Sequence, residues 1–146
     1  MDIIGKKRVL FFAALAVTSF LANFCWESLH GLLFQAHPGM AASGYVPMML
    51  FMALMDTLGI TLLYFITALV FRTWFWIPGL PQLSFFFFSA LAAAYGVEYV
   101  ALFVLHTWKY LPSMPLIFGV GLFPLIQLSL TGLLSVFVAR QVAGNG

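Results

Sequence analysis

The sequence contains little charge and almost no cysteine. Only 7% of its 146 residues are charged, one residue is cysteine, and 64% are hydrophobic. Soluble domains are about 25% charged and about 45–50% apolar, so a mean hydropathy of +1.08 excludes a soluble globular fold. Because Cys25 has no second cysteine to pair with, a thiol oxidoreductase and a thiolate-rich zinc site are excluded. A net charge of +2 is too small for an electrostatic nucleic-acid binder.

Long apolar runs make up most of the chain. They cover residues 9–34, 47–71, 83–106 and 116–139, and each is long enough to cross a hydrocarbon core of about 30 Å. Since lipid offers no hydrogen-bond partner to the backbone, and since the runs are continuous rather than alternating, they are expected to be helices and not barrel strands. The sequence therefore predicts an all-α integral membrane protein, a single four-transmembrane-helix bundle over residues 1–146.

The basic residues predict the orientation of this bundle. Lys109 lies on one side of the predicted spans, and the other Lys and Arg residues lie on the opposite side, namely Lys6, Lys7, Arg8, Arg72 and Arg140. Basic residues favour the cytoplasmic side of a membrane. The apolar run after Arg8 continues past Cys25, so it indicates an uncleaved first span rather than a signal peptide. We expect both termini to be cytoplasmic, in a bacterial inner membrane.

Three acidic residues, Glu27, Asp56 and Glu98, interrupt the apolar spans. With alternating span directions, all three fall in the extracytoplasmic half, together with His30 and His106. An acidic residue near the centre of a span costs about 2.5–3.5 kcal/mol on insertion scales. Ionisable groups inside a membrane are therefore candidates for a functional site.

Helical spacing places these groups on polar faces. Two stripes follow the period of a helix: Ser19, Asn23, Glu27 and His30 on the first span, and Gln127, Thr131 and Ser135 on the fourth. Polar faces that turn inward would give the bundle a polar interior. The candidate catalytic residues are Glu27, His30, Asp56 and Glu98, and the candidate substrate contacts are Asn23, Tyr95, Trp108, Tyr110 and Gln127.

Several chemistries fit these residue types. A carboxyl group beside an imidazole can donate or accept protons. The Glu27-x-x-His30 spacing also occurs in carboxylate-bridged metal sites, where Glu98 and His106, with Asp56 nearby, would complete an iron, zinc or manganese site. Haem held between His30 and His106 fits less well, because carboxylates lie so close. The same polar pairs could instead serve only to lock the helices together.

Several segments carry a resemblance to known proteins. The segments Asn23-Phe24-Cys25-Trp26-Glu27-Ser28-Leu29-His30, Trp108-Lys109-Tyr110-Leu111-Pro112-Ser113-Met114-Pro115 and Gly121-Leu122-Phe123-Pro124-Leu125-Ile126-Gln127 resemble a pattern in small bacterial four-span membrane proteins. That resemblance implies the four-span fold and no activity. The string from Glu98 to Pro115 is also faintly similar to membrane carotenoid cyclases and hydratases, which implies protonation of an isoprenoid alkene by a buried acid. The chain lacks their paired acidic motif.

The leading functional hypothesis is acid–base or metal-assisted chemistry on a lipid-soluble substrate. In it Glu27 is the proton donor, His30 is its partner, and Asp56 and Glu98 are further acids or metal ligands. The alternatives are a small proton-coupled transporter, and an accessory membrane subunit without chemistry. The expected partners are membrane lipid or a lipid-soluble small molecule, and a second copy or a larger membrane complex, but no nucleic acid.

Overall fold

The computed structural model describes residues 3–144. It contains the helices α1 (Ile3–His30), α2 (Ala42–Val70), α3 (Leu80–Tyr99) and α4 (Leu122–Ala143), a 3-10 turn (Gly31–Leu33), a π-helical segment (Val100–Val104) and the short strands β1 (Leu116–Ile117) and β2 (Val120–Gly121). Within the described residues, four helical segments are long and apolar enough to cross a membrane. This agrees with the predicted all-α bundle of membrane-spanning helices.

The fourth helix begins at Leu122, later than the predicted start at residue 116. Residues 116–121 instead form an antiparallel hairpin. Its turn residues Phe118 and Gly119 have φ angles of 50° and 81°, as the central residues of a tight hairpin turn require. The predicted helix start was therefore wrong, because a short apolar run does not distinguish a strand from a helix.

The third helix also differs from its predicted range of residues 83–106. It begins at Leu80 with Pro81 in its first turn, where the missing N–H has no helical partner to lose. At its other end the helix widens into the π-helical segment, and His106 follows with a positive φ of 51°. His106 is consequently exposed beyond the helix rather than held within it.

The helices form an antiparallel bundle with one loosely packed side. α1 packs extensively against α4 and α2, and α4 packs against α3, whereas α2 and α3 make far fewer contacts with each other. The close approach of α3 to α4 depends on Gly132, where an added Cβ atom would lie 2.7 Å from the ring of Phe86. The arrangement leaves a gap in the bundle between α2 and α3.

The apolar core lies near one end of the bundle, which we name the basic end because Lys6, Lys7, Arg8, Arg72 and Arg140 lie there. At this end Tyr64 donates a hydrogen bond of 3.0 Å to the carbonyl of Trp74, and Arg140 donates one to the carbonyl of Trp76. These contacts join α2 and α4 to the α2–α3 connection. The fully buried large side chains of this core are Phe11, Leu15, Ile60, Tyr64, Trp76, Phe86 and Val136.

The opposite end, the loop end, carries residues 31–41 and 105–121. Its two connections are joined by backbone hydrogen bonds, from Gln35 N–H to the Lys109 carbonyl at 2.9 Å and from Leu111 N–H to the Leu33 carbonyl at 2.8 Å. A loop that is hydrogen-bonded in this way is held in place above the ends of the helices.

Candidate functional site

The centre of the site is the side-chain amide of Gln127 on α4. Its Nε2 atom lies 2.9 Å from Glu27 Oε1, 2.7 Å from Asp56 Oδ2 and 3.1 Å from Asn23 Oδ1. Gln127 is 2% exposed. One amide group therefore connects side chains from α1 and α2 to α4, and both polar stripes predicted from helical spacing are buried in the bundle.

This network has fewer hydrogens to donate than oxygen atoms that can accept them. An amide nitrogen carries two hydrogens, yet three oxygens surround Gln127 Nε2. The hydroxyl of Thr131 lies 3.0 Å from Asn23 Oδ1 and 2.8 Å from the backbone carbonyl of Gln127, so it can donate to either oxygen. When it donates to Asn23, both amide hydrogens are left for Glu27 and Asp56. Because Glu27 Oε1 and Asp56 Oδ2 lie 2.9 Å and 2.7 Å from this one nitrogen atom, the two carboxyl groups are close neighbours, and a proton on one of them removes the repulsion between two negative charges.

Glu98, the third carboxyl group, is held by donors from the loop end. Its Oε2 atom accepts a hydrogen bond of 3.2 Å from Trp108 Nε1 and another from the hydroxyl of Tyr110. The N–H of Gly121 donates to the Tyr110 oxygen at 3.0 Å. Since both donors reach Oε2, a proton on this carboxyl group would be carried by Oε1.

Tyr110 lies outside the helices and is the hydrogen donor of this contact. Burial, together with the hydrogen bond to Glu98 and its charge, raises the pKa of the Tyr110 phenol above its usual value. The phenol therefore stays protonated through the neutral pH range and remains a donor. A β-bridge between Tyr110 and Phe34 fixes its backbone to the segment that follows α1.

One ring nitrogen of the His30 side chain is held by the backbone of α1. Its Nδ1 atom lies 3.0 Å from the carbonyl oxygen of Trp26. Because a carbonyl only accepts hydrogen bonds, Nδ1 carries the hydrogen, and in the neutral ring Nε2 has a free lone pair. His30 is thus oriented to accept a proton through Nε2.

Two adjoining cavities surround the carboxyl groups. The loop-end cavity has a volume of about 470 Å³ and includes His30, Phe34 and Lys109 in its wall. The interhelix cavity, of about 500 Å³, lies in the gap between α2 and α3. Glu27 and Glu98 line both cavities, so carboxyl groups stand where the two cavities meet. Cavities of this size with apolar walls and a few polar groups are typical of small-molecule sites.

Methionine is concentrated in the cavity walls, a feature that the sequence analysis did not identify. Five of the seven methionines line the two cavities, namely Met40, Met48, Met49, Met52 and Met55. Flexible thioether side chains adapt to irregular apolar ligands. The helical spacing of Met48, Met49, Met52 and Met55 near the start of α2 could have indicated this wall from the sequence.

The structure brings together most of the site residues expected from the sequence. Glu27, Asp56 and Glu98 line the cavities with Trp108 and Gln127, and His30 lines the loop-end cavity. Tyr110 acts through Glu98 rather than from a cavity wall, and Asn23 belongs to the buried hydrogen-bond network. Tyr95 lies apart from this group, with its hydroxyl 3.5 Å from the carbonyl of Phe118.

The expected metal ligands do not converge. Among residues 3–144, no group of three or more His, Cys, Asp or Glu side chains is placed to hold a metal ion. Of the set Glu27, His30, Glu98 and His106, the last is exposed after α3, and its Nδ1 atom lies 2.9 Å from the Leu102 carbonyl. His106 is therefore also not positioned with His30 as an axial haem ligand.

Comparison with known proteins gave no relative. No family model matches the chain, and no curated protein and no solved structure is significantly similar to it. Function must therefore be inferred from the site itself.

Proposed function

We propose that the protein is an integral protein of a bacterial inner membrane, with both termini cytoplasmic, that carries out acid–base chemistry on a lipid-soluble substrate. The four apolar helices and the concentration of Lys and Arg at the basic end support this orientation. In this orientation the carboxyl groups lie in the extracytoplasmic half of the membrane, and the loop end lies at its extracytoplasmic surface.

The approach of Glu27 and Asp56 to the same amide nitrogen of Gln127 carries the proposal. Two carboxyl groups with a common proton form an acid that is poised beside a cavity, and the hydrogen bonds of Gln127 fix both groups in place. Glu27 reaches both cavities and is the proton donor. Asp56 shares the proton, and His30 Nε2 is the acceptor on the other side.

The reaction that needs no further reagent is a proton shift. Glu27 adds a proton to one carbon of a substrate double bond, and a base removes a proton from the carbon on the far side of the other alkene carbon, so that the double bond moves by one position. One C–H bond forms and one breaks, so no electrons are gained or lost. His30 Nε2 or Glu98 Oε1 can receive the leaving proton, and proton exchange between the groups restores Glu27.

The cavity walls favour a hydrophobic substrate that enters from the membrane. The interhelix cavity is lined mainly by apolar and small residues of α2 and α3, among them Gly59, Leu62, Ala93 and Val97. Since α2 and α3 make few contacts with each other, an apolar chain can occupy the gap while its reacting end lies beside Glu27.

Proton-coupled transport is a weaker proposal for the same carboxyl groups. A transported species would have to continue past them toward the basic end. There the bundle interior is filled by the fully buried Phe11, Tyr64, Trp76 and Phe86. A catalytic site needs only one route for its substrate to reach the carboxyl groups. Catalysis therefore agrees better with this packing than transport does.

Deuterium incorporation tests the proposed chemistry even though the substrate is not identified. Bacterial membranes that contain the protein would be incubated in D₂O, and the extracted lipids compared by mass spectrometry with those from Glu27→Gln membranes. We expect at least one lipid-soluble species to gain deuterium on carbon with the wild type and not with the variant.

The controls separate chemistry from folding. Asp2→Asn removes the one acidic residue of the sequence other than Glu27, Asp56 and Glu98 and is expected to leave the labelling unchanged. Size-exclusion profiles of the purified variants confirm that the folded protein is compared in each case. Equal labelling with wild-type protein and with folded Glu27→Gln would contradict the proposal and favour a structural subunit.

A further inference from the structure

A separate cavity lies at the basic end, away from the carboxyl groups. It has a volume of about 270 Å³, lies between the first turns of α1 and the last turn of α4, and is lined by three cationic side chains, Lys7, Arg8 and Arg140. Phe11 and Phe75 form its apolar wall. Nothing in the proposed chemistry uses this cavity.

The two arginine side chains are fixed by aromatic rings rather than by acids. The guanidinium of Arg140 lies 5.3 Å from the ring centre of Phe11, and that of Arg8 lies 5.4 Å from the ring centre of Phe75. Arg140 also donates to the Trp76 carbonyl, but its Nε atom is buried with no hydrogen-bond partner.

The described chain supplies no anion to this cavity. In residues 3–144 the acidic side chains are Glu27, Asp56 and Glu98, and all three belong to the carboxyl cluster toward the loop end. Arg140 lies in the last turn of α4 and offsets the partial negative charge of that helix end. Among residues 3–144, Lys7 and Arg8 then remain without a negatively charged side chain nearby.

We propose that this cavity binds the phosphate of an anionic membrane lipid. The cavity lies at an end of the membrane-spanning helices, which is the depth of lipid headgroups. Guanidinium and ammonium groups are good hydrogen-bond donors to phosphate, and the exposed Val9 and Leu10 side chains, which follow Arg8 along α1 toward the membrane interior, offer an apolar surface to an acyl chain. Arg140 donates to the phosphate, and Lys7 and Arg8 neutralise its charge.

Native mass spectrometry and thermal unfolding test this site. Protein purified in a neutral detergent would be titrated with phosphatidylglycerol, with phosphatidylcholine, and with inorganic phosphate. We expect phosphatidylglycerol to be retained and to raise the unfolding temperature, while phosphatidylcholine has little effect. Stabilisation by inorganic phosphate to the same extent would overturn the assignment to a lipid and leave a site for free phosphate.

Charge-matched variants locate the binding. Lys7→Gln and Lys6→Gln remove the same charge from neighbouring exposed positions, but only Lys7 lines the cavity. We expect Lys7→Gln to weaken lipid retention about five-fold and Lys6→Gln to leave it unchanged. Arg140→Gln should weaken lipid retention further. If that variant does not fold, the comparison of Lys7→Gln with Lys6→Gln still tests the proposal. Equal effects of Lys6→Gln and Lys7→Gln would overturn the proposal and indicate diffuse electrostatic attraction. No effect of either variant would also overturn it and indicate that the cavity does not bind the lipid.

Discussion

Glu27 and Asp56 lie on different helices, yet both accept a hydrogen bond from the same nitrogen atom, Nε2 of Gln127, at 2.9 Å and 2.7 Å. Three helices are therefore connected through one buried amide. The same amide holds two carboxyl groups close together, so the stability of the bundle and the proposed chemistry of the site depend on the same residue.

Replacing Gln127 with leucine removes the donor and leaves the side-chain volume similar. The two carboxyl groups then lose hydrogen bonds in a buried position, and we expect a loss of about 1–2 kcal/mol in the free energy of unfolding. Thermal unfolding in detergent measures it. The control is Gln141→Leu, an exposed glutamine on the same helix, which we expect to be neutral. An equal loss in both variants would show that the effect does not come from the network.

Tyr110→Phe removes the hydroxyl that donates to Glu98 and keeps the ring. We expect this change to lower the free energy of unfolding by about 1–3 kcal/mol, because the acceptor is a partly buried carboxyl group. The matched control is Tyr99→Phe, since the Tyr99 side chain is 46% exposed and its loss of a hydroxyl should change little. Equal unfolding temperatures for Tyr110→Phe and the wild type would contradict the role assigned to this hydrogen bond.

The raised pKa of Tyr110 predicts a dependence on alkaline pH. In the folded protein the pKa of the phenol lies above the value of about 10 that applies to the unfolded chain. The stabilisation that the Tyr110 phenol gives to the folded protein is therefore fully present below about pH 10. It is lost as the pH rises above that value, since the unfolded state then releases the proton before the folded state does. Unfolding temperatures measured across this range should fall more steeply for the wild type than for Tyr110→Phe. Parallel curves would contradict the pKa assignment.

Local sequence patterns identified the helices and part of the site. The apolar runs predicted four helices, and the period of the polar residues placed Glu27 and Gln127 on inward faces, which the structure confirms. These features depend only on composition and helical geometry. Span direction placed Glu27 and Asp56 in the same half of the membrane, but their approach to Gln127 depends on the order of the helices in the bundle, which local patterns do not give.

Local sequence patterns did not predict the contacts made by the segments that connect the helices. Trp108 and Tyr110 reach Glu98 only because the segment after α3 folds back and is hydrogen-bonded to the segment after α1. His106 was expected at the end of a span, but the π-helical segment ends the helix before it and leaves its ring exposed. Neither outcome is determined by local hydrophobicity, since the first depends on hydrogen bonds between two connections and the second on a local change in backbone hydrogen bonding after Tyr99.

The contact between α3 and α4 should be sensitive to a single methyl group. An added Cβ at Gly132 would lie 2.7 Å from the fully buried Phe86 ring, so we expect Gly132→Ala to destabilise the protein by about 1–3 kcal/mol. Gly96→Ala on α3 is the control, because its added Cβ meets no atom within 4 Å. There alanine should stabilise the helix by about 0.5–1 kcal/mol. Thermal unfolding of both variants gives the comparison, and a neutral Gly132→Ala would contradict close packing here.

Access to the site through the gap between α2 and α3 can be tested with Gly59→Leu. Gly59 lines the interhelix cavity, and a Cβ atom there meets nothing within 4 Å, so a larger side chain should fill the cavity without unfolding the bundle. We expect deuterium labelling of the lipid-soluble substrate to be largely lost while the unfolding temperature is retained. Gly96→Leu adds the same side chain at an exposed position outside the cavities and should leave labelling intact. Full labelling by Gly59→Leu would mean that the substrate reaches Glu27 from the loop-end cavity, which the Met48 and Met49 side chains also line.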